Sequence, residues 1–193
     1  MTHEVLFKGP FSWHGQDDAP SVFDSDMANL CGIYLWMTPC RDELLINYVG
    51  ETGRKFSKRL GEHYCQHASG MYRLDSPEGY SKGELVTVWP GIRGKDNKKS
   101  IKDCVIEYPK LSGTICELNN LYRFFLAEFS GEKRIRQRIE SAIANHLYNT
   151  PGKVGDFMSP GVVYRSRKND EQPEICKISS EVTLVGLPSE IEF

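Results

Sequence analysis

The sequence lacks any pair of cysteines in Cys-x-x-Cys spacing, and no apolar run approaches the roughly 20 residues that span a bilayer. Its six cysteines fit no zinc-binding template, so a structural zinc site is not expected. The first four residues also lack the basic start and apolar stretch of a secretory signal. We therefore expect a cytoplasmic protein with free thiols, because disulfides are rare in that reducing compartment.

An excess of positive charge is also missing, since the formal net charge is −2. Basic residues nevertheless cluster, within residues 54–59, 95–102, 133–138 and 165–168. Affinity for nucleic acid depends on local phosphate contacts, so the overall balance does not exclude a nucleic-acid ligand. For any single cluster, a solvated surface is the simpler interpretation.

Hydrophobic periodicity predicts a packed domain with both strands and helices, in line with 39% hydrophobic and 11% aromatic residues. Apolar or alternating runs predict strands at residues 5–7, 31–37, 44–49, 85–89, 121–129, 162–164 and 182–185. Helical spacing predicts helices at residues 55–66 and 132–147. A short turn joins the second and third of these strands, which predicts a hairpin.

Two tripeptides carry the strongest functional signal. Gly32-Ile33-Tyr34 lies in the first hairpin strand and Tyr48-Val49-Gly50 closes the second, with the tyrosines fourteen residues apart. Arg59 and His63 follow, four residues apart at the edge of the apolar stripe of helix 55–66, from which both can reach a cleft. Two tyrosines, an arginine and a histidine that converge can bind and cut a phosphodiester. Taken singly, each is more often an ordinary strand tyrosine, surface arginine or helix histidine.

In this order and spacing, these residues resemble the GIY-YIG nuclease family, with Val49 where the second tripeptide has Ile. A glutamate on a later helix completes the family's site, and Glu140 in helix 132–147 matches it. The resemblance covers residues 31–66 and 121–150. It implies an α+β fold, a small mixed or antiparallel β-sheet flanked by helices, and a divalent-metal-dependent DNA endonuclease, that is, a phosphodiester hydrolase.

The resemblance also implies a role for each site residue. Tyr34 is the expected general base, with its pKa lowered from about 10 by the neighbouring arginine, and Tyr48 is expected to hydrogen-bond water or phosphate. Arg59 offers a permanently charged fork for the scissile phosphate, and His63 assists by relaying the proton or contacting the phosphate. Glu140 is the expected ligand of Mg²⁺ or Mn²⁺, and a single carboxylate favours a one-metal scheme.

Several further residues receive weaker predictions. The family has an asparagine after the glutamate, for which Asn149 and Asn145 are the candidates. His67, one turn beyond His63, is expected to be exposed. The residues expected to contact nucleic acid are Lys55, Lys58, Arg93, Lys95, Lys98 and Lys99. The tryptophans expected in the core are Trp13, Trp36 and Trp89.

We expect one nuclease domain over residues 1–193. Its expected parts are an arm at 1–30, a catalytic core at 31–66 and 121–150, a DNA-contacting insertion at 67–120 and an extension at 151–193. The sequence shows no separate repair or homing module, so we expect a restriction or phage-defence nuclease. Its expected substrate is duplex DNA, on which the protein could act as a homodimer. The alternatives are a non-catalytic nucleic-acid-binding module or a protein-interaction module on the same fold.

Overall fold

A computed structural model describes residues 1–92, 99–159 and 165–193 of the chain. The strands, in chain order, are β1 (Thr2–Phe11), β2 (Gly32–Cys40), β3 (Glu43–Thr52), β4 (Leu74–Asp75), β5 (Thr87–Trp89), β6 (Arg123–Glu128), β7 (Ile175–Ser180) and β8 (Glu190–Glu192). Within these ranges, six strands form one sheet in the order β3-β2-β6-β1-β7-β8, and β4 pairs with β5. In the large sheet β1 and β7 are parallel, and the other neighbours are antiparallel.

Helices cover both faces of the sheet. They are α1 (Phe56–Ala68), α2 (Pro77–Lys82), α3 (Ile101–Leu121), α4 (Lys133–Asn149) and α5 (Lys153–Asp156), with a 3-10 turn at Asp26–Asn29. In the described part of the chain, no helix combines the length and the apolar composition that crossing a membrane would need. The predicted α+β class, a mixed sheet flanked by helices, is therefore confirmed.

The alternation of side chains along β2 divides the core between the two faces. Tyr34 and Trp36 pack with Phe56 and Leu60 of α1 in one cluster of buried residues. Their odd-numbered neighbours pack with α4 in a second cluster, which includes Ile33, Leu35, Met37, Ile139 and Ile143. Since successive strand residues point to opposite faces, α1 and α4 lie on opposite sides of the hairpin β2–β3.

The predicted hairpin, both predicted helices and a strand within residues 121–129 are confirmed, with ends shifted by a few residues. The three tryptophans are buried, and all six cysteines are free thiols. The predicted strand at 182–185 is wrong: Val185 forms a single bridge with Leu45, and the carboxyl-terminal strands are β7 and β8 instead. The predicted strand at 162–164 lies outside the described residues.

The sequence pattern missed the longest helix, α3, in the stretch expected to be an insertion. Ser100 and Asp103 form a reciprocal capping box at its start, and Pro109 lies inside it. A proline inside a helix is unusual, because it removes a backbone donor from the helix interior. The Ser-x-x-Asp spacing, followed by buried apolar residues, was the signal that could have revealed α3.

Candidate active site

The register of the hairpin explains why a glycine ends the second tripeptide. Tyr34 on β2 lies opposite Gly50 on β3, and Trp36 lies opposite Tyr48. A Cβ at position 50 would overlap the Tyr34 ring, lying 2.7 Å from Cε2 and nearer still to Cζ. The absence of a side chain at Gly50 therefore makes room for the Tyr34 ring. Tyr48 lies beside it on the same face, with 6.1 Å between the two ring centroids.

Helix α1 brings two polar side chains to the Tyr34 hydroxyl. Arg59 Nε donates to that oxygen at 3.2 Å, and His63 Nε2 lies 2.8 Å from it. His63 Nδ1 lies 3.0 Å from the hydroxyl of Tyr72, a half-buried residue in the segment after α1. Tyr34 and His63 are buried and Arg59 is half-buried, so the cluster opens outward at the arginine and at Tyr72.

The electrostatics of this cluster differ from the sequence-based expectation. Burial raises the pKa of Tyr34 well above its ordinary value and Tyr48 adds to the rise, while Arg59 acts in the opposite direction. The expected lowering of the Tyr34 pKa is therefore wrong, because desolvation of the phenolate outweighs the arginine. Burial also lowers the pKa of His63 to about 3, with Arg59 as the second cause, so the imidazole is neutral.

Glu140 approaches from α4, on the opposite side of the edge strand β3. Its Oε1 accepts a hydrogen bond from the backbone N–H of Glu51 at 3.1 Å. Burial raises the pKa of Glu140 to about 7, and the charge of Glu51 adds to the rise, while Arg59 and Arg165 act in the opposite direction. Burial and then the Glu140 charge raise the pKa of Tyr48. The charge of Glu140 thus reaches Tyr48, and that of Arg59 reaches Glu140, so the carboxylate is linked to the cluster around Tyr34 through these two residues.

The sequence analysis missed Glu51, which contacts Glu140 through its backbone, and its ion-pair partner Arg136. Glu51 Oε2 accepts from Arg136 Nε at 3.1 Å in a nearly buried ion pair, and Glu51 Oε1 accepts from Gln137 at 3.5 Å. Arg136 also donates to the backbone carbonyl of Gly131. The Glu51 carboxylate thus has its own partners, while its charge still adds to the rise in the Glu140 pKa. Its position directly after the second tripeptide was the available signal.

The donor set at Glu140 fits a divalent ion that keeps most of its water. The described residues contain no cluster of three or more His, Cys, Asp or Glu side chains that could enclose a metal ion, so Glu140 would be a single protein ligand. Among the same residues, Oε2 of Glu140 accepts no hydrogen bond, whereas Oε1 accepts one from Glu51. Mg²⁺ is commonly bound through one or two carboxylates, with water and phosphate oxygens completing its shell. A half-buried carboxyl with a raised pKa would gain from a nearby cation.

The residues predicted to contact nucleic acid are only partly described. Lys55, directly before α1, and Lys58, in its first turn, are exposed, and Lys55 donates to Asn29 at 2.9 Å. Lys99 Nζ lies 5.5 Å from the centre of the Trp89 ring. Arg93, Lys95 and Lys98 lie outside the described residues.

Arg165 is a basic residue near the site that the prediction did not include. Arg134 donates to the carbonyls of Arg165 and Ser166 at 2.8 and 2.9 Å, and Asn145 donates to the Ser166 hydroxyl at 3.1 Å. These bonds hold the segment along α4. The Arg165 side chain is exposed, and its charge reaches Glu140. Asn145 is therefore engaged in fixing this segment.

Two other residues lie away from their expected positions. His67 is buried rather than exposed, because α1 turns it toward Trp13, Trp36 and Tyr122. Asn149 is exposed at the last turn of α4 and donates to the backbone carbonyl of Asn145 at 2.8 Å. Nine residues of helix separate it from Glu140, about 14 Å along the axis.

The family model described as the GIY-YIG catalytic domain matches residues 30–103. The matched range contains both tripeptides, Arg59, His63 and Tyr72, whereas Glu140 lies beyond it. A search of curated proteins and a search of solved structures returned no match.

Proposed function

Because the chain belongs to the GIY-YIG nuclease family, we propose that it is a divalent-metal-dependent endonuclease that hydrolyses phosphodiester bonds in duplex DNA. One observation carries this proposal: Arg59, Tyr34 and His63 form a continuous hydrogen-bonded chain beside Tyr48 and Glu140. A protein that only binds nucleic acid or another protein has no need of a buried tyrosine–histidine pair hydrogen-bonded to an arginine whose charge reaches a carboxylate.

Arg59 binds the scissile phosphate. Its Nε is engaged with Tyr34, and its Nη1 lies 3.7 Å from Glu62, a long ion pair in a half-exposed position. The outer guanidinium nitrogens can therefore turn to phosphate oxygens. A planar, permanently charged group suits that task, because it stabilises the negative charge that develops on the phosphorane.

Tyr34 takes a proton from the attacking water while it gives up its own. Its raised pKa keeps the hydroxyl protonated in the free enzyme, so a phenolate is not available in advance. The hydroxyl can accept a proton only as its own proton leaves toward His63 Nε2, 2.8 Å away. Tyr48, on the same face, orients the water or a phosphate oxygen.

Glu140 holds the divalent ion, Mg²⁺ or Mn²⁺, through its carboxylate. The Glu51 N–H orients one carboxylate oxygen and leaves the other for the ion. Charge stabilisation at the phosphorane and the departing oxygen is the chemistry that a divalent ion supplies there when bound. The neighbouring Glu51 carboxylate is engaged by Arg136 and Gln137, which favours a one-metal scheme.

A restriction or phage-defence role is the biological setting that we propose. Cutting both strands with one site per chain favours a homodimer on the substrate, since twofold duplex sites match twofold proteins. Exposed Lys55 and Lys58 at the start of α1, and exposed Arg165, whose charge reaches Glu140, can contact the phosphate backbone.

A plasmid-nicking assay tests the proposal. The purified chain is incubated with supercoiled plasmid in Mg²⁺, Mn²⁺ or EDTA, beside a Glu140→Gln variant prepared in the same way to reveal contaminating nuclease. We expect nicked or linear product with either metal and none with EDTA or the variant. Cleavage by wild type and variant alike would reject the site, and binding without cleavage would favour the non-catalytic alternative.

A further inference from the structure

The donors around Tyr34 determine the direction of its hydrogen bonds. Arginine has N–H donors and no acceptor, so the Tyr34 oxygen accepts from Arg59. The Tyr34 hydroxyl also has one proton to donate. His63 Nε2, 2.8 Å away, accepts this proton when the imidazole carries its own proton on Nδ1.

The contact of His63 with Tyr72 fits this tautomer. A neutral imidazole with a lone pair on Nε2 carries its proton on Nδ1. Nδ1 lies 3.0 Å from the Tyr72 hydroxyl, which accepts this hydrogen bond. The chain from Tyr34 through His63 to Tyr72 thus has one polarity, and it runs from the buried site toward the partly exposed Tyr72.

We propose that Tyr72 is the outer member of a proton relay that serves the cleavage reaction, an inference that rests on the proposed nuclease function. As water attacks phosphorus, its proton moves to the Tyr34 oxygen and the Tyr34 proton moves to His63 Nε2. The Nδ1 proton of His63 passes to the Tyr72 oxygen, and the Tyr72 proton leaves to solvent. Every group is neutral before and after the transfer, and one proton has left the site.

Proton transfer from His63 to Tyr72 avoids a positive charge on the buried histidine. If the histidine kept both protons, it would become an imidazolium in a buried position beside Arg59, and these two effects depress its pKa to about 3. Passing the second proton to Tyr72 as the first arrives avoids that cation. Tyr72 also holds the tautomer that leaves Nε2 free to accept, so it acts through His63 as a positioning residue.

The backbone around Tyr72 is fixed well enough for this role. Met71 N–H donates to the Gln66 carbonyl at 3.0 Å, and Ile92 N–H donates to the Met71 carbonyl at 3.1 Å. Gly91 has a φ of +81°, and a Cβ there would lie 2.7 Å from the backbone of Tyr72 and Arg73. The segment is thus tied to the end of α1, which carries His63.

A Tyr72→Phe variant tests the relay, because it keeps the ring and removes the hydroxyl. Tyr64→Phe is the matched control: Tyr64 is a half-buried tyrosine on α1 whose hydroxyl lies 3.3 Å from His14 Nε2, outside the relay. Single-turnover cleavage of a labelled duplex, the Kd for that duplex in Ca²⁺ and the Tm are measured for each protein. Cleavage is repeated at increasing imidazole buffer concentration.

We expect Tyr72→Phe to cleave on the order of tenfold more slowly, less than the about hundredfold loss typical of removing a positioned base itself. Its Kd should match that of Tyr64→Phe, its Tm should stay well above the assay temperature, and imidazole should restore part of the lost rate by replacing the missing acceptor. A rate equal to that of Tyr64→Phe, a loss explained by Kd or Tm, or a loss that imidazole leaves unchanged would overturn the relay. Wild type that fails to cleave would overturn the proposed function as well, whereas active wild type beside unaffected Tyr72→Phe overturns the relay alone.

Discussion

The backbone N–H of Glu51 donates a hydrogen bond to Oε1 of Glu140, 3.1 Å away, across the edge of β3. The residue that follows the second tripeptide thereby fixes a carboxylate that lies 89 positions later in the chain. This single bond favours the charged form of Glu140, but burial and the Glu51 charge oppose it more strongly and raise the pKa to about 7. The pKa of Glu140 therefore lies in the pH range in which we expect the enzyme to work.

We predict that Glu140→Gln loses cleavage by at least about a hundredfold and keeps its affinity for DNA. The glutamine can still accept from Glu51, but it has no charge to hold a divalent ion. Single-turnover cleavage and fluorescence anisotropy on the same duplex measure the two properties. A variant that cuts within about threefold of wild type, well under 1 kcal/mol of barrier, would make Glu140 an ordinary helix residue.

The same substitution should stabilise the metal-free protein at alkaline pH. A carboxyl whose folded pKa lies above its unfolded value contributes stability at low pH and loses it as the pH rises through about 7. Glu140→Gln should therefore raise the Tm at pH 8, by about 2 to 4 °C per kcal/mol regained, and leave it unchanged or lower at pH 5. Thermal melts in EDTA at both pH values give the comparison, and an equal shift at both would contradict the raised pKa.

We predict that Arg59→Lys is severely impaired although its charge is kept. A lysine cannot donate to Tyr34 from one nitrogen while it grips two phosphate oxygens with others. Cleavage should fall about a hundredfold or more, as when a preorganised donor to the developing charge is lost. Arg54→Lys is the control, since Arg54 is exposed and pairs with Glu62 at 2.7 Å. Equal activity of the two variants would mean that Arg59 contributes only its positive charge and not the geometry of its guanidinium group.

Arg165→Gln should weaken DNA binding in a salt-dependent way. Removing one bond between a cationic side chain and a phosphate reduces the slope of log K against log salt by about 0.9, and no sequence preference should change. Lys177→Gln is the control, because Lys177 is exposed on β7, which three strands separate from β3. Anisotropy titrations at several KCl concentrations measure the slopes, and indistinguishable slopes for the two variants would remove Arg165 from the interface.

The local part of this site could be predicted from the sequence, because the hairpin and α1 are set by nearby residues. The alternation along β2 and β3 and the spacing of Arg59 and His63 already imply the cluster around Tyr34. Glu140 required the family resemblance, since nothing nearby in the sequence distinguishes it from other helix glutamates. The Glu51–Arg136 pair could not be foreseen, because it depends on how α4 crosses the edge of β3.

Burial was the property that the sequence predicted least well. His67 follows His63 by four residues, yet whether that face meets solvent depends on α3, which the sequence analysis did not predict. The pKa of Tyr34 was misjudged for the same reason: the arginine is visible in the sequence, but the complete burial of the phenol is not. The tyrosine must therefore act together with a proton acceptor rather than as a preformed phenolate.

The final prediction compares Tyr34→Phe with Tyr48→Phe. Tyr34→Phe keeps the ring on Gly50 but leaves His63 Nε2 without its donor, so we expect a loss of stability of about 1–3 kcal/mol and a rate loss of about a hundredfold or more. Tyr48→Phe should cost less, because its hydroxyl only orients water or phosphate. Single-turnover cleavage well below each variant's Tm separates the chemical from the folding effect. In wild type, the rate should rise with pH through about 7 as Glu140 ionises, and the midpoint should move lower as Mg²⁺ increases, because metal and proton compete for one carboxylate. Normal cutting by Tyr34→Phe, or a far greater loss in Tyr48→Phe, would show that the proton transfer does not run through Tyr34.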